Sequence, residues 1–184
     1  MVALQEMERK EAWDAMRQGL RLDYEACSGG LATFQWSFLV HPGFQVSLCY
    51  RLARMFHVRD WMFMAKVMCV FMRWLTHCDI HHGAMIGPGV QFPHGCGVVI
   101  GEGVQVGPKC SLFQHTTMGA IEGVVGAPRL AEGVNLYPGT VLAGAVQIGE
   151  YCRIGPNVYL TESVPSHTRV SPPKPNLARS DVPI

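Results

Sequence analysis

The stretch that decides the fold is VVIGEGVQVGPKCSLFQHTTMG, residues 98–119. A large apolar residue recurs here at every sixth position, and a small or β-branched residue follows each one four positions later. The spacing extends over residues 80–160, with one slip of two residues after Val98. The large positions are Ile80, Ile86, Phe92 and Val98, and then Ile100, Val106, Leu112, Met118, Val124, Leu130, Leu136, Leu142, Ile148, Ile154 and Leu160.

A six-residue repeat with one large and one small inward position is typical of a β-helix. Each hexad forms a short strand and a turn, three hexads close a triangular coil, and the coils stack into a solenoid. Cys96, Cys110 and Cys152 fall on the small inward positions, so we predict that they pack in the core. Residues 120–129, AIEGVVGAPR, interrupt the repeat, and we expect a loop that leaves the coil.

The first part of the chain has helical spacing instead. Apolar residues recur at helical intervals through residues 44–58 and again through 61–77. The sequence therefore predicts an α+β chain with a helical domain (1–78), a β-helix domain (79–170) and a C-terminal tail (171–184).

The stretch WMFMAKVMCVFMRWLTHC, residues 61–78, is the most apolar part of the chain. It carries Lys66 and Arg73 on one helix face, which disfavours a membrane span. We expect a buried helix, and peripheral contact with a membrane surface is the alternative.

Net charge and cysteine content limit the kinds of function and cellular location that this sequence favours. The formal net charge is +1, which gives no electrostatic footprint for nucleic acid. The seven cysteines are odd in number and form no CxxC motif, and no secretory signal opens the chain. These features indicate reduced thiols and a cytoplasmic protein.

The histidines raise the question of a metal site. The stretch HCDIHH (77–82) offers His77, His81 and His82 as ligands. His81 and His82 are adjacent, so on a strand they would point to opposite faces. No second cluster with ligand spacing follows, and we predict that the chain holds no metal.

Asp79 and His94 form the second candidate constellation. They lie fifteen residues apart, slightly less than a coil of about eighteen residues, so adjacent coils can bring them together. A carboxylate that accepts the imidazole N–H fixes the tautomer and leaves the other nitrogen as a base for a hydroxyl. The spacing allows a purely structural histidine equally well.

Residues 79–119 resemble the serine acetyltransferase family, a branch of the hexapeptide-repeat acyltransferases. The segments DIHH, PHGCG, VVIGE and QHTTMGA stand beside the family's DIHP, DHxxG, VVIGE and Q-x-VTLGG. The stretch HPGFQVSLCYRLAR (41–54) is similar to a helix of that family, and LTESVPSHTRVSPPKP (160–175) is similar to its last coil and exit. The resemblance covers roughly residues 40–175.

The resemblance implies a left-handed β-helix, acetyl-CoA as the acyl donor, and a homotrimer or dimer of trimers with active sites between protomers. It implies that His94 is the general base, that Asp79 orients it, and that the hydroxyl attacks the thioester directly while backbone N–H groups meet the oxyanion. Gly119 and Ala120 match the glycine pair beside the thiol arm of CoA. The other positions expected to bind CoA are Pro138, Gly139, Gly155 and Lys174.

The chain departs from the family where the amino acid is held. Pro93 replaces the Asp before the catalytic His, and Gly126 and Ala127 stand where the family has an Arg-His pair. Arg129 offers a substitute contact for a carboxylate. The acidic residue of the family's helical domain has no clear match, although Asp23 or Glu25 could stand near it.

Unpaired ends of a buried zwitterion are costly, so we expect an acceptor other than ordinary L-serine. The expected acceptor is a hydroxyl of a sugar, a polysaccharide precursor or another small metabolite. The alternative is a divergent serine acetyltransferase of cysteine biosynthesis, whose C-terminal Ile184 would contact a partner sulfhydrylase. A non-catalytic β-helical scaffold is the third hypothesis, and it predicts that Asp79 and His94 do not touch.

Overall fold

The computed structural model describes residues 2–28 and 41–172. Helices α1 (Val2–Ser28), α2 (Pro42–Val58) and α3 (Met62–Thr76) come first. Proline opens α2, where its missing N–H costs nothing. The most apolar stretch of the sequence forms α3, but only one side of this helix is buried, so the expectation of a buried helix is wrong for its outward side. Within the described ranges, no helix is both long and apolar enough to cross a membrane.

The rest of the described chain is a series of short parallel strands, most of them two residues long. They form three parallel sheets, which we name sheet A (β1-β3-β6-β9-β12), sheet B (β2-β4-β7-β10) and sheet C (β5-β8-β11-β13). Successive sides of each coil belong to sheets A, B and C in turn, so the strands build a three-sided prism. The strands are β1 (Asp79–Ile80), β2 (Met85–Ile86), β3 (Val99–Ile100), β4 (Gln105–Val106), β5 (Ser111–Leu112), β6 (Thr117–Gly119), β7 (Arg129–Leu130), β8 (Asn135–Leu136), β9 (Val141–Ala143), β10 (Gln147–Ile148), β11 (Arg153–Ile154), β12 (Tyr159–Leu160) and β13 (Arg169–Val170).

This architecture confirms the predicted fold class of helices followed by a parallel β-helix of hexapeptide repeats. Most of the large inward positions are buried, and Leu112, Leu136 and Ile154 are fully so. Val124 is an exception: it is 46% exposed because it lies in the loop that interrupts the repeat, and its predicted inward position is wrong. Cys110 and Cys152 are buried as predicted, whereas Cys96 is only partly buried. Burial raises the pKa of the Cys110 thiol to about 11, which suits a packing role.

The pairing register locates the slip in the repeat. Asp79 pairs with Val99, twenty positions later, whereas Val99 pairs with Thr117, eighteen positions later. Gln91 still pairs across twenty positions with Ser111. The two extra residues therefore lie between Gln91 and Val99, and we call residues 92–98 the enlarged corner.

A buried ion pair joins the helices to the first coil. The Arg51 guanidinium donates hydrogen bonds to both oxygens of Asp23, over 3.0 and 3.2 Å, and also to the carbonyls of Ile86 and Gly87, over 2.7 and 2.6 Å. The N–H of Gly89 donates to Asp23 over 2.8 Å. Burial raises the pKa of the Asp23 carboxyl, and Arg51 and the Gly89 N–H act in the opposite direction. This one contact connects α1, α2 and the turn after β2.

Tyr50 adds a second polar contact between α2 and the same coil. Its hydroxyl donates to the carbonyl of Ala84 over 2.8 Å and accepts the N–H of Ile86 over 3.0 Å. Tyr50 is 1% exposed, so its polar tip is satisfied inside the core. Neighbouring residues of α2 thus fix its position on the prism.

Three histidines meet where the end of α2 packs on the first coil. The ring centroids of His57 and His82 are 4.8 Å apart, and those of His81 and His82 are 4.2 Å apart. The prediction that His81 and His82 point to opposite faces is wrong, because β1 ends at Ile80 and both residues lie in the following turn. Burial, followed by neighbouring charges, lowers the pKa of His57 and of His82.

We expect the Arg51→Met variant to lose about 3–5 kcal/mol of unfolding free energy, because the Asp23 carboxylate is left buried without its cation. Denaturant unfolding followed by circular dichroism measures the change. The matched control is Arg21→Gln, which breaks the exposed Arg21–Glu25 pair and should change stability by less than about 1 kcal/mol. Equal effects of the two substitutions would contradict the anchoring role of Arg51.

Acid should destabilise the fold through His57 and His82. Their pKa values in the folded chain lie below 6.5, the ordinary value that applies in the unfolded chain. Between the folded and the unfolded pKa, the unfolded chain binds more protons, so the free energy of unfolding falls as the pH decreases from 6.5. Thermal melts at a series of pH values in this range should show that Tm depends less steeply on pH in the double variant His57→Gln/His82→Gln. Melts above pH 7.5, where both histidines are neutral, give the pH-independent packing difference to subtract. An unchanged slope after that subtraction would show that other groups are responsible.

Candidate active site

The enlarged corner presents His94 to solvent next to the start of α2. His94 has a left-handed backbone with φ 71°, and Gly95 follows with φ 51°. A Cβ atom on Gly95 would lie 2.5 Å from the carbonyl carbon of Pro42, and one on Gly43 would collide with the carbonyl oxygen of Phe92. Glycine is therefore required on both sides of this contact. The close approach sets where His94 stands.

A cavity of about 220 Å³ lies beside His94, between the end of α1, the start of α2 and the enlarged corner. The Gln91 side chain closes one side by donating a hydrogen bond to the carbonyl of Ala26 over 2.8 Å. Burial raises the pKa of the Cys27 thiol to about 11, so this cysteine is protonated at neutral pH and not a nucleophile. The cavity is lined by Ala26, Cys27, His41, Pro42, Gly43, Gln91, Phe92, Pro93 and His94.

Aromatic residues continue from His94 along the same edge of the prism, where sheet C turns into sheet A. The His94 and Phe113 rings have centroids 6.4 Å apart, and Phe113 stacks on Tyr137 at 5.3 Å. Three predicted CoA-binding residues, Pro138, Gly139 and Gly155, lie on or next to this edge. The structure thus places His94 and these three positions on successive coils of one edge.

Four further predicted site residues lie on another edge, where sheet A turns into sheet B. Gly119 ends β6 and Ala120 follows it, and a Cβ atom on Gly119 would meet no atom within 4 Å. Gly126 and Ala127 belong to the inserted loop before β7. The width of sheet A therefore separates these four residues from His94 within one protomer.

Arg129 lies on the outer surface of sheet B, at the start of β7. It lines an open cavity of about 570 Å³ together with Gln147, Ser163 and Ser166. This cavity is not the one beside His94. The structure consequently does not bring Arg129 and His94 together in a single chain.

Asp79 does not hydrogen-bond to His94 in this structure. Its carboxylate instead lies 3.6 Å from the Arg73 guanidinium, with the two side chains 50% and 54% exposed. Asp79 opens β1 directly after α3, and Arg73 in the last turn of that helix reaches it. The expected Asp79–His94 pairing is therefore absent from this arrangement.

Neither acidic candidate of α1 reaches the cavity lining. Asp23 is 1% exposed and held by Arg51, while Glu25 pairs with Arg21 on the surface. Sequence reasoning missed His41, which lines the cavity, because only the fold brings the start of α2 to the enlarged corner. Lys174 and Ile184 lie outside the described residues, and their roles stay predictions.

The histidines of the chain also raise the question of a metal site. Among residues 2–28 and 41–172, no group of three His, Cys, Asp or Glu side chains is arranged to hold a metal ion. The rings of His57, His81 and His82 lie beside one another in space. The Nδ1 atoms of His57 and His82 are buried without a hydrogen-bond partner.

Comparison with known proteins gives independent evidence for the family to which this chain belongs. The family model for bacterial transferase hexapeptide (six repeats) matches residues 127–162. A serine acetyltransferase of Helicobacter pylori J99 is 35% identical over 130 residues, which are 70% of this chain and 76% of that protein. A serine acetyltransferase of Synechococcus elongatus is 37% identical over 134 residues, 72% of this chain and 55% of that protein.

Solved structures agree with the sequence relatives. Serine acetyltransferase isoform 3 of Entamoeba histolytica, in complex with cysteine, superposes with a TM-score of 0.80 at 25% identity, covering 91% of this chain and 62% of that one. The soybean serine acetyltransferase apoenzyme has a TM-score of 0.80 at 26% identity, covering 87% of this chain and 67% of that one. With a shared hexapeptide fold and more than 30% identity over three quarters of a relative's length, the chain belongs to the serine acetyltransferase family of acyltransferases.

Proposed function

We propose that this chain transfers an acetyl group from acetyl-CoA to the hydroxyl of L-serine. The observation that carries the proposal is the exposed His94, set on a corner enlarged by two residues and next to a cavity of about 220 Å³. The relatives named serine acetyltransferase support serine as the acceptor, in place of the sugar-type acceptor that the sequence departures favoured.

In the proposed reaction, His94 takes the proton of the acceptor hydroxyl as the oxygen attacks the thioester carbonyl carbon. The new C–O bond forms, the C–S bond breaks, and the imidazolium returns the proton to the departing CoA thiolate. The products are the O-acetylated acceptor and free CoA. No protein nucleophile is needed, which agrees with the raised pKa of Cys27.

One observation favours a second candidate, a neutral hydroxyl acceptor such as a sugar. The described lining of the cavity contains Pro93 and no carboxylate, lysine or arginine side chain. A zwitterion would leave its ammonium and carboxylate without charged partners in such a lining. A neighbouring protomer can supply the missing charges in the serine reaction.

We therefore propose a homotrimer, or a dimer of trimers, with active sites between protomers. The supporting geometry is the separation of His94 on one edge from Gly119, Ala120, Gly126 and Ala127 on another. Because the flat sides of a prism pack around a threefold axis, one protomer's loop can face its neighbour's His94. Free cysteines throughout the chain support a reducing, cytoplasmic location.

Acetyl-CoA with L-serine should give release of free CoA thiol, and His94→Ala should lower kcat by at least about a hundredfold because the general base is lost. A thiol-reactive dye measures the release. His167→Ala, in another exposed left-handed turn, is the matched control and should keep full activity.

A screen with homoserine and a panel of sugars separates the two acceptors. Serine turnover far above that of every sugar supports the main proposal. Turnover of a sugar with none of serine replaces serine by the second candidate, and activity that survives His94→Ala contradicts the mechanism.

We further propose that Asp79 turns toward His94 when the substrates bind. Its contact with Arg73 is long and solvent-exposed, so it holds the carboxylate weakly, and catalytic hydrogen bonds often tighten only in the complex. Asp79→Asn should lower kcat about tenfold or more with little change in the KM for the acceptor. Arg73→Gln, which removes only the competing partner, should keep kcat. Equal losses in both variants would assign Asp79 a purely structural role.

A further inference from the structure

The outward side of α3 is apolar along its whole length. We call Phe63, Met64, Val67, Val70, Phe71 and Trp74 the α3 apolar face. Phe63 is 78% exposed and Trp74 is 79% exposed, which are extreme values for such large side chains. Trp61, at the N-cap of α3, is 52% exposed, and its ring stacks on Phe56 of α2.

This face is not the one that attaches α3 to the protein. The opposite side buries Ala65, Cys69, Met72 and Thr76 against the rest of the fold. A surface helix with one buried side ordinarily carries polar residues on the other. Contiguous exposed apolar surface of this kind marks a contact site.

Charge indicates what the face contacts. Between Trp61 and Cys78 the sequence has Lys66 and Arg73 and no acidic residue. These two residues are seven positions apart, so they lie on the same flank of the helix beside the apolar face. The contact between Arg73 and Asp79 is exposed and 3.6 Å long, so it restrains the Arg73 side chain only weakly.

We propose that the α3 apolar face docks on the surface of a phospholipid bilayer with anionic headgroups. In this arrangement Phe63 and Trp74 enter the boundary between headgroups and acyl chains, a depth that suits tryptophan. Lys66 and Arg73 extend to the headgroup phosphates from the flank of the helix. The helix lies in the plane of the surface, in keeping with the finding that no described helix can cross a membrane.

A direct contact between the α3 helices of two copies fits this face less well. Antiparallel packing of two α3 helices centred near Val70 places Lys66 of one copy opposite Arg73 of the other. Parallel packing places each basic residue opposite its own counterpart. Both arrangements bring like charges together at the contact, which opposes association.

Cosedimentation of the full chain with vesicles tests the proposal. The vesicles are equal parts phosphatidylglycerol and phosphatidylcholine. The wild type should bind, with a blue shift of tryptophan emission, and Phe63→Ser/Trp74→Ser should bind about tenfold or more weakly because two inserted aromatic side chains are lost. Val125→Ser, which changes a 98% exposed residue of the inserted loop, is the matched control and should bind like the wild type.

Lys66→Glu provides a second variant that leaves the apolar side chains in place. It should weaken binding about tenfold, because a charge that attracts the anionic surface is reversed. Thermal melts verify that each variant is folded. The proposal is overturned if the wild type does not sediment with the vesicles, or if both variants bind like the wild type. It is also overturned if lipid-free protein forms oligomers through α3 that Phe63→Ser/Trp74→Ser dissociates.

Discussion

The buried contact between Asp23 and Arg51 is the constraint on which the rest of the structure depends. It combines an ion pair with hydrogen bonds to two carbonyls of the first coil and an N–H of the next turn. A charged pair this deep is stable only when its remaining hydrogen-bonding capacity is used, and here the β-helix backbone uses it. The orientation of α1 and α2 is therefore tied to the register of the first coil.

The candidate active site follows from that orientation. Once α2 is anchored at Arg51, its first turn reaches the enlarged corner, where Gly43 and Gly95 allow backbone to lie against backbone. The cavity beside His94 is the space left between these segments and the end of α1. The stacked coils supply a rigid platform, and the departures from the six-residue repeat supply the candidate site residues.

Two of these departures contain candidate site residues, and they lie on different edges of the prism. The two extra residues place His94 where sheet C turns into sheet A, and the inserted loop extends where sheet A turns into sheet B. A single protomer thus displays two separate groups of candidate site residues. Assembly around a threefold axis is the simplest way for a prism to unite them, and it would keep catalysis dependent on the oligomer. The α3 apolar face is a further exposed surface, because its side chains point away from the fold.

The six-residue spacing by itself determined the β-helix and the slip that became the enlarged corner, and the glycines and the proline of residues 120–129 determined the position of the inserted loop. Periodicity is a local property, and each hexad repeats the same inward and outward choices, so such features can be read along the chain. The tertiary structure decided which side chains meet across segments. Asp23 met Arg51, and Asp79 met Arg73 instead of His94. His57 stacked beside His82, and Val124 left the core with its loop. These outcomes depend on how helices from one part of the chain pack on coils from another, and residue spacing contains no information about that packing.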